Sequence, residues 1–438
     1  MGTGIVASAA ATLPRSLPGL DVAATVVWAG AALLLTVLGL RYLGQRMLRA
    51  HAGDPVLAQF FGAPPMALLT VGSGTLLLGR RLIGERAAVD VDWVLWSAGT
   101  VLGLVTACAV PYLMVTRHRF TADAAFGGWL LPVVPPMVSA ATGALLVPRA
   151  APGQPRLALL LGCYAMLGLG LVAVLLVLAM VYSRLVHHEA PSGVTVPTVW
   201  IGVGALDQAV TALGALATAA PSALPAPYAR GSAVAALLGG IGIWGFATLW
   251  LVLATALTVR EVRRGLPFAP TWWSFIFPLG ACVTGTSALA VRTGSELFVW
   301  TAVALYVVLV AAWAVVTWHS LRHAVRRSPR PRARPRGAGP EQTCGHGEEH
   351  EGPEHRGDPD LPAAGDGHPG GSGHASQFVR GDRVHADRED EVPPAEVVAQ
   401  RHAAQGVPPH PQSQQERHQP AGERPQDHAR PEDDRTRR

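Results

Sequence analysis

Apolar runs of about twenty residues, broken by short arginine-bearing loops, follow one another from residue 1 to about residue 320. They fall at roughly 1–18, 22–42, 62–83, 92–116, 127–148, 157–183, 197–219, 231–259, 271–291 and 295–318. A helix of about 20 residues spans the hydrocarbon core of a bilayer. The pattern predicts an all-α polytopic membrane protein with ten transmembrane helices, which the short loops pair as hairpins. Beyond residue 320 the pattern ends. Residues 340–438 are rich in Pro, Gly, Gln, His, Arg and acids and nearly free of aromatics. Such a segment cannot bury enough apolar surface to offset the entropy of ordering. The chain therefore reads as a membrane domain (1–320) and a polar, disordered cytoplasmic tail (321–438).

Charge refines this division. Residues 1–320 hold 17 Arg, no Lys and 10 acids, whereas the tail has 18 Arg against 20 acids and most of the 16 His. The mean hydropathy of +0.28 averages these two unlike halves. A sequence pI near 9.4 does not mark a nucleic-acid binder, because no basic groove is interleaved with aromatics and no nucleic-acid motif is present. With the N-terminus inside, internal and external loops carry nearly equal numbers of Arg. The seven Arg of 322–336, RHAVRRSPRPRARPR, place the C-terminus in the cytoplasm by the positive-inside rule. That run also suits anionic lipid headgroups. Of the four Cys, Cys108, Cys163 and Cys282 lie in apolar runs and Cys344 in the tail, at spacings that suggest neither zinc nor a disulfide framework. No metal, cofactor or cleavable signal peptide is expected.

Prolines carry the next signal. Run 3 contains GAPPMALLTVGSG and run 5 contains VVPPMVSAATGALLV; Pro65 and Pro136 are 71 residues apart, and Pro278 in run 9 lies 142 beyond Pro136. The odd-numbered runs thus share a proline position at the spacing of one hairpin, the pairs Pro64–Pro65 and Pro135–Pro136 being matched by Pro278. One further step falls on Asp207, in GALDQAV of run 7. One step back from Pro65 falls before residue 1, which predicts a first helix shortened at its N-terminus and Met1 as an internal start. A single proline in a membrane helix is a tolerated kink. Three in register predict a shared role, with kinked helices turning backbone groups and half-helix dipoles toward a common axis. The even runs are smoothly apolar and suit an outer, lipid-facing ring.

The segments MGTGIVASAAATLP (1–14), FGAPPMALL (61–69), WLLPVVPPMVSAATGALLVP (129–148) and LPFAPTWWSFIFPLGACVTGTSAL (266–289) resemble the tellurite-resistance/dicarboxylate transporter family, which includes the plant slow anion channels. The resemblance covers about residues 1–320. It implies five hairpins in pseudo-fivefold arrangement, with odd helices lining a central pore. It also implies passage of small inorganic anions or dicarboxylates (chloride, nitrate, sulfite, malate), homotrimers in some relatives, and a pore-facing Phe ahead of the ninth-helix proline as the gate. That position is Phe277. On the residues alone, Phe277 reads first as packing between helices, although an aromatic at a kink can also close a pore by excluding water. Phe275, two residues away, faces elsewhere and is read as packing; Trp272 and Trp273 are read as interfacial anchors.

The remaining candidates are polar. Ahead of Gln208 the family pattern leads one to expect a proline and a small residue, and this sequence has Ala205 and Asp207 instead. A carboxylate within a span costs about 2.5–3.5 kcal/mol on the translocon scale, so Asp207 should face a cavity or a partner. Ionised in the pore it would repel anions; protonated it could carry a proton with the substrate; packed against run 5 or 9 it would be structural. Ser139, Thr142, Thr284 and Thr286 could touch an anion, or could bond carbonyls of their own helices. A membrane-embedded enzyme would need clustered His, Asp or Glu in the runs, and the sequence has none. A sensor or scaffold signalling through the tail would predict tail-dependent activity without flux. The multi-pass helices place the protein in the cell membrane.

Overall fold

The computed structural model describes residues 1–15, 18–43, 53–121 and 123–327. The tail from 328 onward, and with it most of the basic run 322–336, lies outside the described residues. Among those described, the structure is helical, without strands. We number ten main helices: α1 (Gly2–Ala11), α2 (Leu20–Leu43), α3 (Ala63–Gly74), α4 (Glu85–Thr116), α5 (Pro135–Leu146), α6 (Gln154–His187), α7 (Trp200–Ala219), α8 (Ala226–Val262), α9 (Ile276–Thr293) and α10 (Glu296–Arg327).

Odd and even helices differ in length, continuity and burial. The five even helices are unbroken and have only 17–33 % of their most apolar window buried. Their exposed faces carry residues such as Leu33, Val115, Leu176, Leu249 and Val307. Apolar side chains turned outward along a whole helix are what a bilayer requires of its neighbours. The segments containing α3, α7 and α9 have 67–83 % of the same window buried. These form the inside of the bundle.

Contacts arrange the ten helices in two rings. Each odd helix packs on the even helix that follows it, giving five consecutive hairpins. The odd helices also touch in a closed cycle, α1 to α3, α3 to α5, α5 to α7, α7 to α9, and α9 back to α1. Each even helix touches the next odd helix as well, α10 closing onto α1.

Two expected spans are shorter than their apolar runs. Run 1–18 is helical only over Gly2–Ala11, because the residue ahead of Pro14 is driven out of the α region. Run 127–148 contains α5, twelve residues long, between the 3-10 turns Gly127–Leu130 and Val147–Arg149. Eight helical segments among the described residues are long and apolar enough to cross a membrane. At the other extreme, α4 begins at Glu85 rather than 92, after Gly84 at φ 85°, and so takes in Asp90 and Asp92.

The proline signal also resolves into geometry. A 3-10 turn precedes each of α3, α5, α7 and α9: Leu57–Gly62, Gly127–Leu130, Gly193–Val199 and Pro270–Phe275. Pro64 and Pro65 lie in the first turn of α3, Pro135 and Pro136 open α5, and Pro278 is the third residue of α9. First-turn N–H groups lack intrahelical acceptors, so proline costs little there. The expected mid-helix kinks are therefore helix starts. In α7 the proline, Pro197, sits inside the 3-10 turn, and Asp207, one 71-residue step from Pro136, lies two turns into the helix. The 71-residue step thus marks starts in three helices and misses the fourth.

The four 3-10 turns pack in succession at one end of the inner ring. Glycine permits this: a Cβ on Gly62 would collide with the carbonyl of Leu131, and one on Gly127 with the carbonyl of Thr198. Farther along, indole N–H groups tie the rings together. Trp28 of α2 donates to the Val71 carbonyl of α3 (3.3 Å), and Trp96 of α4 to Ser139 of α5 (2.9 Å). Trp244 of α8 donates to Thr286 Oγ1 of α9 (3.0 Å), and Trp313 of α10 to Thr3 Oγ1 of α1 (3.4 Å). Each strap runs from an even helix to the next odd one.

Overpacking the close approach should destabilise the fold. Gly62→Ala is expected to lower stability by about 1–3 kcal/mol, since the Leu131 carbonyl is backbone and cannot swing aside. Gly162→Ala on α6, where a Cβ meets nothing within 4 Å, should be neutral or mildly stabilising. Thermal midpoints in detergent of the two variants beside the wild type check the contrast; equal midpoints for both would contradict it.

Candidate functional site

All five odd helices contribute to one cavity of about 410 Å³. Its wall includes Ser8 of α1, Thr70 and Ser73 of α3, Thr142 of α5, Gln208 and Thr211 of α7, and Thr284 and Ser287 of α9, set among Ile5, Val138, Ala141 and other small apolar residues. It extends toward the C-terminal ends of the inner helices, where Arg149 and Arg292 line it. The Arg149 guanidinium donates to the Leu145 carbonyl (2.7 Å) and pairs with Glu85 (3.3 Å). Arg292 donates to the Gly214 carbonyl and to Thr218 Oγ1 (3.1 Å). The wall is thus neutral deep inside and positively charged toward one mouth.

Hydroxyl groups on the wall are mostly turned inward to their own helices. Thr142 Oγ1 donates to the Val138 carbonyl (2.9 Å), Thr70 Oγ1 to Met66 (2.8 Å) and Thr211 Oγ1 to Asp207 (3.0 Å). Thr284 Oγ1 reaches the Ala281 carbonyl (3.1 Å) and pairs with Thr211 Oγ1 across the α7–α9 seam (2.8 Å). Of the hydroxyls considered from sequence, Thr142 and Thr284 line the cavity. Ser139 and Thr286 are fully buried away from it, Thr286 receiving the Trp244 indole.

Phe277 is the second residue of α9, 5 % exposed and part of the main apolar core. It does not line the cavity. Seven residues separate it from Thr284, two helical turns, or about 10 Å along the axis. Residues seven apart on an α-helix face within about 20° of one another. Phe277, Thr284 and Val291 therefore form one stripe; the latter two line the cavity and Phe277 lies beyond its deep end. Pro278 turns the other way and packs where a Cβ on Gly204 of α7 would meet its Cα at 2.7 Å. Phe275 stacks edge-on against Trp200 (5.4 Å between centroids), as packing requires. Trp272 joins an aromatic group with Phe268, His319 and Phe275, and Trp273 donates to Ser320 Oγ (3.1 Å).

Two buried carboxyls stand behind the wall rather than in it. Asp207, 3 % exposed, points into the α7–α9 seam, beside the Cys282 thiol and the backbone at Gly285, and its Oδ1 has no hydrogen-bond partner. Asp92 of α4 is fully buried, and neither of its oxygens has a hydrogen-bond partner. It presses on Gly72 of α3, where a Cβ would lie 2.6 Å from Oδ1. Asp92 escaped the sequence reading because it marked the edge of an apolar run; Ser8, Thr70, Ser73, Thr211 and Ser287 escaped because small hydroxyl residues carry no periodic signal. No group of three or more His, Cys, Asp or Glu among the described residues could hold a metal ion.

Lipid-facing outer helices around a broken-helix inner ring with a central cavity define a multi-pass integral membrane protein built for transport. The chain belongs to the voltage-dependent anion channel family, whose model matches residues 1–321. It is 27 % identical over 332 residues to a sulfite efflux pump of Arthroderma otae, covering 72 % of this chain and 86 % of that protein. A sulfite efflux pump of Trichophyton rubrum matches to the same extent. An uncharacterized transporter of Methanocaldococcus jannaschii is 27 % identical over 323 residues, covering 72 % of this chain and 90 % of that protein. The chain is an anion transport protein, not an enzyme.

The position of Asp207 makes a testable statement. Asp207→Asn fits the same space and can still meet the Cys282 thiol, so the variant is expected to fold with an unchanged thermal midpoint and to keep the anion selectivity of the wild type. Selectivity is read from flux of paired anions in proteoliposomes. A marked rise in anion flux on removing the charge would put the carboxylate in the ion path instead of behind it.

Proposed function

We propose that this chain moves small oxyanions, sulfite foremost, across the cell membrane through the axis of the inner ring, with Phe277 as the gate. The observation that carries this reading is the α9 stripe: Thr284 lines a cavity walled by all five odd helices, and helix periodicity sets Phe277 on the same face two turns nearer the start of α9, which supports an aromatic turned to the same axis. The closed cycle of odd helices supports a pseudo-fivefold pore. An apolar ring that fills a narrow axis excludes water, and without water an ion cannot pass. The sulfite efflux activity carried in the names of two relatives supports sulfite over chloride, nitrate or malate. In this reading the C-terminus is cytoplasmic.

Charge placement fits a conduit. Deep in the ring the wall offers neutral groups, so an anion meets no fixed positive charge that would hold it. Arg149 and Arg292 stand toward one mouth, where they raise local anion concentration without forming a trap.

Phe277→Ala is expected to raise sulfite flux several-fold in proteoliposomes holding the full chain. Unchanged flux would reduce Phe277 to packing, and no flux from either protein, for sulfite, chloride, nitrate or malate, would overturn the transport reading. Arg149→Ala and Arg292→Ala are expected to slow influx from that mouth at low ionic strength. The deficit should shrink toward physiological salt as the Debye length falls from about 30 Å to about 8 Å. A deficit independent of salt would argue for a structural role of these residues.

A further inference from the structure

A count of hydrogen-bond donors in the cavity, resting on the transport reading above, goes further and concerns the kind of anion selected. Each hydroxyl has one proton to give. Thr70, Thr142, Thr211 and Thr218 give theirs to carbonyls four residues back on their own helices, at 2.8–3.0 Å. The Thr284 proton goes either to Ala281 or to Thr211. These side chains therefore turn acceptor lone pairs to the cavity. A wall of lone pairs is unfavourable for a bare anion.

Gln208 is the exception. It lines the cavity, is 3 % exposed, and its amide makes no hydrogen bond among the described residues. One turn before Thr211 on the same helix, it offers two N–H donors and one acceptor. Ser8 of α1 and Ser287 of α9 also belong to the wall; their hydroxyl oxygens are buried where they stand and have no hydrogen-bond partner there, so a turn about χ1 brings them to the cavity. A serine hydroxyl has three staggered positions, and no bond holds either one where it stands.

We infer that Gln208, with Ser8 and Ser287, forms a binding subsite for a monovalent oxyanion that still carries a proton, such as hydrogen sulfite or a half-protonated dicarboxylate. Such an anion accepts from the Gln208 amide and the serine hydroxyls through its charged oxygens. Its own O–H donates to a threonine lone pair of the Thr211–Thr284 pair or to the Gln208 carbonyl. Chloride and nitrate can only accept, so they leave the acceptor groups unmatched. A doubly charged oxyanion meets the same lone pairs with no proton to offer.

The test uses the full chain in proteoliposomes at mildly acidic pH, with hydrogen sulfite, nitrate and chloride as the probes, comparing wild type with Gln208→Leu. Losing one charge-assisted hydrogen bond should cut hydrogen sulfite flux about tenfold while chloride and nitrate change by less than about twofold. An equal fall for all three anions, or no fall for hydrogen sulfite, would overturn the subsite while leaving transport standing. Absence of flux for all three in the wild type would overturn the transport reading and this one with it. Should Gln208→Leu fail to fold, Ser287→Ala is expected to give a smaller loss with the same order among anions, and a uniform loss there would count against the subsite. A direct measure is the sulfite-induced rise in thermal midpoint of the detergent-solubilised wild type. It should be present where hydrogen sulfite dominates and fall away at alkaline pH; a shift that persists undiminished at alkaline pH would overturn the requirement for a proton.

Discussion

A backbone buried in hydrocarbon must find every hydrogen bond within the protein, and the architecture of this chain follows from that demand. A continuous α-helix meets it unaided, which is why the even helices can run 32 residues or more in α4, α6, α8 and α10 with little burial. The odd helices cannot. Four of the five start behind 3-10 turns, and three of those carry proline in the first turn. Segments so broken are tolerated at membrane depth only where protein surrounds them or where they line a cavity. The outer ring supplies that surrounding, and the indole straps from Trp28, Trp96, Trp244 and Trp313 supply donors to inner-ring oxygens.

The sequence conveyed the outer ring well because lipid imposes one repeated condition, apolarity on all sides, and run length then reports the element directly. It conveyed the inner ring less faithfully. Hydropathy cannot separate a twenty-residue α-helix from a twelve-residue one flanked by 3-10 turns, so run 127–148 looked like an ordinary span. Proline did mark where α3, α5 and α9 begin, because a helix start is the one place where a missing N–H costs nothing. In α7 the proline had moved back into the 3-10 turn, and counting by 71 landed on Asp207 instead.

The candidate site was legible where a residue was conspicuous and illegible where it was small. Gln208 stood out beside an intramembrane acid and lines the cavity, whereas Phe277, conspicuous beside Pro278, does not line it. The direction each faces needed the structure: Asp207 and Gln208 are adjacent in sequence, yet one enters the α7–α9 seam and the other the cavity. Adjacent helical residues point about 100° apart, which suffices to separate a structural acid from a cavity-lining amide. Serine and threonine gave no such signal, since a hydroxyl bonded to its own helix looks in sequence like one that faces a ligand.

That distinction decides what the interior can do. If every wall hydroxyl offered its proton to the cavity, an anion would be bound tightly and released slowly. Because most of those protons are committed to backbone carbonyls, the interior holds few donors, and attraction is left to the arginines toward the mouth. A conduit needs this division: binding strong enough for the ion to enter and weak enough for it to leave. The backbone's demand for hydrogen bonds therefore sets more than the fold. By consuming the hydroxyl protons it also leaves the interior weakly binding, and it makes the few uncommitted donors, above all Gln208, the groups through which one anion can be preferred over another.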